Sequence, residues 1–367
     1  MASNKNQHFV PKCHFRPFSI GGLGGAINLF NLDRRLPVTN APVRGQCSGD
    51  YFYGRDLVIE RALQGIEGRY GVMVDAMSAD RYRLTDEHRA LLRDFCALQY
   101  LRTEAASRRQ VETMAEMGET IGMNGSEFRM TIREAVQMAM GMFGDARRAL
   151  LDLKVCLIRN ATGTPFITSD DPAAMTNRWH LQDVRVRGTA PGLSSAGLLF
   201  LLPLSPSIVA LIYDGDVYSV ANAGGWVVVD RPQDVLALNQ HQILNAFANL
   251  YFQDWERRHD VAAWAEAAAD RRPAARHRIN YVVLDRVENG ERIYRRVDPA
   301  EVPSEALALV HQEAILPEPS AWPRQIGWRA DGRVYYNGTG AGYVRRAEAE
   351  RDEISGFRRY PSRRAAK

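Results

Sequence analysis

The residues VCLIRNATGTPFITSDDP, numbers 155–172, decide the fold of this chain. They predict a strand over Val155–Ile158, a Gly-Thr-Pro turn, and a second strand, Phe166–Thr168, that runs directly into the Ser-Asp-Asp-Pro motif at 169–172. Short β-branched and aromatic runs bounded by Gly, Pro and Asp are typical of strands. Two acids at the end of a buried strand, followed by a proline, form the clearest chemical feature of the sequence.

Two further strands are predicted downstream, over Leu198–Leu202 and Ile208–Tyr213. The first has no polar alternation, which indicates a strand covered on both faces. Elsewhere the apolar residues follow helical spacing, and they predict helices over residues 56–70, 85–120, 131–153 and 230–254. The predicted fold class is therefore α+β, with helices packed around a mixed or antiparallel sheet.

The last third of the chain predicts a small β-rich C-terminal appendage. An Ala- and Arg-rich stretch at 257–278 predicts a helical or flexible linker. Two hairpin patterns follow: the first turns at residues 288–291, and the second joins Trp328 to residues 334–336 through Asp331-Gly332. The predicted organisation is a domain over residues 1–256, a linker over 257–278, and the appendage with its basic tail over 279–367.

Composition bounds the class of protein. The 367 residues are 46% hydrophobic and 25% charged, which is ordinary for a globular protein. No apolar run reaches the roughly 18 residues that span a bilayer, and the N-terminus lacks the apolar segment of a signal peptide. We therefore expect no membrane contact. Four scattered cysteines without a CxxC pair are typical of free thiols in a reducing cytoplasm.

The formal net charge of +4 is concentrated in the tail. Residues 345–367 contain eight basic and four acidic side chains, so the rest of the chain is close to neutral. A globally basic nucleic-acid-binding surface is therefore not indicated. A tail of this kind is typically solvated, although it can also contact nucleic acid or an acidic partner.

A series of short motifs runs through the first two thirds of the chain. They are QHFVP at 7–11, FRPF at 15–18, YFY at 51–53, ALQYLRT at 97–103, FITSDDP at 166–172, LPLSP at 202–206, and Asn239 before a helix. In this order they resemble the bacterial family called domain of unknown function 4238, over roughly residues 4–254. The chain departs from the family pattern twice, with His14 in place of the usual Tyr and Asp171 in place of the usual Asn. The resemblance implies which residues matter and assigns no reaction.

His8 leads the first motif, between Gln7 and the apolar pair Phe9-Val10. A histidine in this position can act as a general base, donate to a phosphate, or bind a metal. The alternative is a half-buried histidine that bonds only to the backbone.

The carboxylates of Asp170, Asp171 and Glu60 are the candidate ligands for a divalent metal. If the strand continued, Asp170 and Asp171 would point to opposite sides, so that one of them would face a site. The alternative for the aspartates is a turn, because Ser-Asp-Asp-Pro has strong local hydrogen-bonding chemistry. Glu60 and Glu67, two helical turns apart, also fit a solvated helix face.

Gln99 and Arg102 lie one helical turn apart on an otherwise apolar helix. Polar groups in such a position need partners, and the pair predicted here is Arg102 with Asp170. Because His8, Arg102 and Asp170 are each costly to bury alone, we expect the three side chains to converge. The same convergence is also compatible with a purely structural network.

These residues support two hypotheses. The first is an intracellular hydrolase, a metal-assisted nuclease or phosphoesterase acting on nucleic acid or a phosphorylated substrate. In it His8 is the base or donor, Asp170 with Asp171 and Glu60 binds the metal, and Arg102 beside Gln99 binds the anion. The second is a non-catalytic binding or scaffold protein, in which the same polar cluster fixes the fold.

Overall fold

The computed structural model describes residues 5–79, 82–120, 129–186, 189, 191–288, 291–298, 308–339, 342–352 and 356–363. Three predicted features lie outside these residues: the helix end at 122–125, the turn residues 289–290, and the end of the tail at 364–367.

The secondary structure mixes helices and strands along the whole chain. The helices are α1 (Lys12–Phe15), α2 (Val58–Met77), α3 (Asp86–Arg102), α4 (Glu104–Thr120), α5 (Ile132–Gly141), α6 (Phe143–Ala149), α7 (Arg178–Gln182), α8 (Pro232–Asn245), α9 (Arg258–Ala267) and α10 (Arg346–Arg351). The strands are β1 (Asn6–His8), β2 (Ala26–Asn31), β3 (Leu36–Pro42), β4 (Ser48–Asp50), β5 (Lys154–Asn160), β6 (Thr168–Ser169), β7 (Ala174–Thr176), β8 (Leu199–Ser205), β9 (Ile208–Tyr213), β10 (Tyr218–Ser219), β11 (Trp226–Val229), β12 (Asn249–Phe252), β13 (His277–Glu288), β14 (Glu291–Arg296), β15 (Ala308–Ala314), β16 (Gly327–Trp328), β17 (Arg333–Tyr336) and β18 (Arg358–Pro361).

A five-stranded mixed sheet contains three of the strands predicted from the sequence. Its order is β11-β5-β9-β8-β7, with β11 and β5 parallel and the other neighbours antiparallel. One face packs Leu157 and Phe200 against α2 and α3. The other face packs Leu199 and Leu211 against α8 and part of the C-terminal third. Burial of β8 on both faces agrees with its unbroken apolar sequence, and the α+β fold class is confirmed.

A second, antiparallel sheet has the order β3-β2-β12-β6. Its strand β12 occupies residues that were predicted to continue a helix over 230–254, so that prediction is wrong beyond Asn245. The chain turns there because the Asp170 carboxylate accepts hydrogen bonds from the backbone N–H groups of residues 247–249. β12 then pairs with β6, whose last residue directly precedes Asp170.

The long helix predicted over 85–120 is two helices. α3 ends at Arg102, and the next residue, Thr103, has an extended backbone with φ −68° and ψ 157°. Its hydroxyl accepts from the N–H of Ala106 and so helps to start α4. The break carries Thr103 toward Asp171, which it contacts.

The C-terminal third is β-rich, as predicted, and it contacts the rest of the chain extensively. The first predicted hairpin is present as β13 and β14, and β15 adds a third strand. The second predicted hairpin is wrong, because β16 pairs with β10 while β17 pairs with β18. The predicted linker contains α9, whose Val261 and Ala265 are buried. The division into domain, linker and appendage stays a prediction.

Arg345 is a buried side chain of the C-terminal third that contacts the rest of the chain. Its side chain is 1% exposed, and its Nε and Nη2 atoms donate to the two carboxylate oxygens of Asp152 at 2.8 and 3.2 Å. It also donates to the carbonyl oxygens of Leu193, Ser195 and Ala149. Separating the C-terminal third from the rest of the chain would break all of these bonds.

None of the described helices combines the length and the apolar character needed to cross a membrane.

Candidate functional site

Gln7 positions the first part of the candidate site. β1 pairs with β4, which places His8 opposite Ser48. The buried Gln7 side chain accepts from the Tyr53 N–H at 2.6 Å and donates to the Gly54 carbonyl at 3.0 Å. The Tyr53 hydroxyl in turn donates to the His8 carbonyl at 3.1 Å. These bonds hold the loop before α2 against β1.

Arg102, the last residue of α3, lies at the centre of the site and is fully buried. Its Nε donates to Gln99 Oε1 at 3.1 Å, and its Nη1 donates to Glu67 Oε1 on α2 at 2.6 Å. Burial lowers the pKa of Arg102, but Tyr53 and Glu67 raise it by more, so the guanidinium stays charged. We refer to His8, Tyr53, Glu67, Gln99 and Arg102 as the His8–Arg102 cluster.

Three buried nitrogen atoms of this cluster have no hydrogen-bond partner among the described residues. They are His8 Nε2, Gln99 Nε2 and Arg102 Nη2. An unpaired buried polar group costs roughly 1–3 kcal/mol, and most such groups in proteins are paired. Gln99 Nε2 and Arg102 Nη2 are donors, whereas Nε2 of the neutral His8 ring can accept, so the cluster offers two free donors and one free acceptor to a ligand.

His8 is uncharged at neutral pH. Burial lowers its pKa to about 4, and Lys12 and Arg102 lower it further, while hydrogen bonding of the ring to the backbone of Arg44 and Val43 raises it. Because Arg102 contributes to lowering the pKa of His8, the two side chains interact electrostatically. A neutral imidazole can accept a proton or donate a hydrogen bond.

Glu60 lies at the edge of the same cluster. It is half-buried on α2, two turns before Glu67. Burial raises the pKa of Glu60, the Glu67 carboxylate raises it further, and Arg102 and Lys12 lower it. Glu60 therefore interacts electrostatically with Arg102, but the carboxylate that forms an ion pair with Arg102 is that of Glu67. Glu67 was named from the sequence only as an accessory to Glu60; the signal that could have found it is its position on the same helix face.

Asp170 has a different set of partners from the one predicted. Its carboxylate accepts the N–H groups of Phe247, Ala248 and Asn249, each at 2.8 Å. Burial raises the pKa of Asp170 to about 6, although these three donors lower it. The predicted Arg102–Asp170 ion pair is wrong, because Arg102 pairs with Glu67 and Asp170 with the backbone. The conformation of residues 246–249, between α8 and β12, thus depends on the Asp170 side chain.

Asp171 is also fully engaged. Its Oδ1 accepts from the Thr103 hydroxyl at 2.9 Å, and its Oδ2 accepts from Arg109 Nη1 at 2.8 Å. Asp171 is 1% exposed. Thr103 directly follows Arg102 in the chain. The Thr103–Asp171 hydrogen bond therefore connects the end of the second predicted strand to the His8–Arg102 cluster.

The predicted metal ligands do not fit a shared ion. In Asp170 and in Asp171, each carboxylate oxygen accepts a hydrogen bond from the protein. Glu60 interacts instead with Glu67 and Arg102. Throughout the described part of the chain, no group of three or more His, Cys, Asp or Glu side chains is arranged to hold a metal ion. A cation bound by these aspartates would have to displace their present hydrogen bonds.

His14 links the elements around the site. It is fully buried, with Nδ1 bonded to the Tyr70 hydroxyl at 2.8 Å and Nε2 bonded to Thr168 Oγ1 at 3.0 Å. Burial, together with Arg102, lowers its pKa to about 3. His14 therefore ties α1 to α2 and β6 as a neutral hydrogen-bonding group.

Comparison with known proteins identifies one family whose model covers these residues. The model of a family described as "Protein of unknown function (DUF4238)" matches residues 6–256, which include every residue of the cluster and both aspartates. Neither a curated protein nor a solved structure matches the chain.

Proposed function

This chain belongs to the DUF4238 family, whose description assigns no reaction, and we propose that it is an intracellular phosphoester hydrolase. The substrate is a nucleic acid or a small phosphorylated molecule, bound at the His8–Arg102 cluster. The observation that carries the proposal is the set of three unpaired buried nitrogen atoms in that cluster. Four free cysteines support a reducing compartment.

A phosphoryl group complements the two free donors of the cluster, because its oxygens accept hydrogen bonds. Arg102 is paired with Glu67 through Nη1 and keeps Nη2 free to donate to one of these oxygens. Gln99 is oriented by its own bond to Arg102, which leaves its Nε2 free to donate to a second phosphoryl oxygen. Arg102 is held by Glu67 in turn, so the donors are fixed before a ligand arrives.

His8 is the general base of this proposal. A bound phosphate brings negative charge close to the imidazole, which raises the pKa of His8 from about 4 toward neutrality. The Nε2 lone pair takes a proton from water as the water oxygen bonds to phosphorus. The ester oxygen then leaves with the electron pair of the broken P–O bond and receives that proton from His8. No step is assigned to a metal, since the predicted ligands do not fit one.

A second candidate function is non-catalytic binding. The observation that favours it is the complete pairing of Asp170 and Asp171, which identifies these two acids as structural. In that case the cluster binds an anionic group without cleaving it.

The test is hydrolysis of p-nitrophenyl phosphate, bis(p-nitrophenyl) phosphate and labelled single- and double-stranded oligonucleotides by the purified chain. Loss of a general base typically lowers the rate 10²–10⁴-fold, so His8→Gln should lose about 100-fold or more. The matched control is His259→Gln, at an exposed histidine on α9. Binding of phosphate without hydrolysis of any substrate would favour the second candidate, and equal rates for the two variants would remove His8 from the mechanism.

A further inference from the structure

A cleft with two adjoining chambers lies beside α4, apart from the His8–Arg102 cluster. The larger chamber has a volume of about 340 Å³ and lies between α4, α5 and the strands β13 and β15. The smaller chamber has a volume of about 210 Å³ and lies between α4, the end of α8 and residues 272–276. Arg109, Asn245 and Arg276 line both chambers, so the chambers adjoin at these three residues.

The smaller chamber, called here the arginine chamber, contains two arginines whose hydrogen bonds in the described part of the chain go to neutral oxygens, although Asp33, Asp170 and Asp171 interact with them electrostatically. Arg276 donates to the Leu244 carbonyl at 2.7 Å and to Asn245 Oδ1 at 2.9 Å. Arg272 donates to the carbonyls of Ala246 and Phe247 at 2.9 and 3.0 Å. All of their bonds in the described part of the chain go to these neutral oxygens at the end of α8.

Neighbouring acids leave this charge in place. Arg109 is paired with Asp171, and Arg108 with Glu104, so those two arginines are largely neutralised. Glu112 also lines the chamber, but it is exposed and therefore screened by water. Burial lowers the pKa of Arg276 to about 10, Arg109 lowers it further, and Asp171 raises it. It remains charged at neutral pH.

The larger chamber, called here the apolar chamber, has walls suited to a flat organic group. Met138, Met142 and Leu316 line it together with Tyr100. Met138 and Met142 are 41% and 55% exposed, although both are large and apolar. Methionine side chains adapt to irregular ligands and make favourable contacts with aromatic rings.

One polar group in the wall of the apolar chamber has an unused atom. His277 is 8% exposed and lines the chamber. Its Nε2 is bonded to Glu116 Oε2 at 2.8 Å, whereas its Nδ1 is buried without a partner among the described residues. Ligand pockets typically orient the polar edge of a ligand through a small number of polar groups, and the free Nδ1 of His277 is available for that role.

We propose that this cleft is a binding site for a nucleoside monophosphate, with the phosphate in the arginine chamber and the base in the apolar chamber. Two arginines approaching from separate positions suit the several oxygens of a phosphate. The aromatic and methionine wall suits a planar base, whose polar edge bonds to His277. The site needs no hydrolysis and is therefore independent of the reaction proposed for the His8–Arg102 cluster.

The experiment is isothermal titration calorimetry of the whole chain with adenosine monophosphate, inorganic phosphate and decanoate as separate probes. The nucleotide should bind at least about tenfold more tightly than either other probe, because only it fills both chambers. Arg276→Met and, separately, Arg272→Met should each weaken nucleotide binding by about tenfold. Arg271→Met, at an exposed neighbouring arginine, is the matched control and should change nothing.

Each other outcome overturns a defined part of the proposal. Equal affinity for inorganic phosphate and the nucleotide would eliminate the base-binding chamber. Tighter binding of decanoate would replace the nucleotide by a fatty-acid anion. Failure of all three probes to bind, or unchanged nucleotide binding in both folded arginine variants, would overturn the site itself. Thermal melting of each variant identifies any that fails to fold, and either arginine variant alone is sufficient for the test.

Discussion

Replacing Arg345 by methionine would remove the charged group that joins the C-terminal third to the body of the protein. Methionine keeps much of the length of the side chain and loses every hydrogen bond. The two bonds to Asp152 and the three to the carbonyls of Ala149, Leu193 and Ser195 all disappear. The Asp152 carboxylate, which is partly exposed to water, is left without its partner.

The magnitude follows from the burial of the two partners. Removing one member of a buried ion pair typically costs 3–5 kcal/mol. Arg345 is 1% exposed, but the Asp152 side chain is 28% exposed and can recover part of its hydration. We therefore expect Arg345→Met to lower the free energy of unfolding by about 3 kcal/mol, toward the lower end of that range.

The assay is equilibrium unfolding in guanidinium chloride, followed by both tryptophan fluorescence and far-UV circular dichroism. Arg346→Met is the matched control, one residue further along. Its side chain is 55% exposed and its Nη2 lies 3.2 Å from Asp216 Oδ2, so its loss should cost less than about 1 kcal/mol. Adding Asp152→Leu to Arg345→Met should restore part of the lost stability, because the unpaired charge is then gone.

Two results would refute this reasoning. If Arg345→Met and Arg346→Met lowered stability by the same small amount, the buried bonds would contribute little. If the wild type already unfolded in two separate transitions, with the C-terminal third first, the contact would not couple the two parts, and the appendage predicted from the sequence would be an independent unit.

Two further predictions concern the buried polar groups. Asp170→Asn puts an amide nitrogen in place of the oxygen that accepts from Ala248 and Asn249. It should lower the free energy of unfolding by roughly 1–3 kcal/mol, measured in urea at pH 7 against Asp145→Asn at an exposed site. An unchanged unfolding midpoint would contradict the structural role. Burial lowers the pKa of His241 to about 4, so the unfolded chain takes up a proton that the folded chain does not. As pH falls from 6.5 to 4, the wild type should lose about 3 kcal/mol of stability relative to His241→Gln. Parallel curves of unfolding free energy against pH for the two proteins would count against this.

The sheet was predictable where a strand carries its own signal. Val155–Ile158 and Ile208–Tyr213 are short apolar runs between turns, and both are strands in the structure. Leu250 and Tyr251 were placed on a helix because their spacing from Val235 suits one. Their strand conformation depends on Asp170, which lies about 80 residues away in the sequence. Local periodicity contains no information about such a distant hydrogen-bond acceptor.

The candidate site divides in the same way. Gln99 and Arg102 were predictable as neighbours because one helix carries both. The partner of Arg102 was not, since Glu67 and Asp170 are equally plausible carboxylates until the packing of α2 against α3 is known. Arg272 and Arg276 lie in the stretch predicted as a linker, and the binding role proposed for them depends on their position beside the end of α8. Charge and residue type identify candidates, whereas the choice of partner is made by tertiary structure.

The late position of the C-terminal contacts also affects how the protein is made. The Trp179 indole donates to the Ser362 carbonyl, 183 residues further along the chain. At roughly 5–20 residues per second, a ribosome needs about 10–40 s to synthesise the residues between them. During that time the sheet face that will pack against Ile326 and Val334 is exposed on the nascent chain. Newly made protein should therefore depend on chaperones for longer than its N-terminal two thirds alone would suggest, and messages truncated near the 3′ end should yield rapidly degraded products.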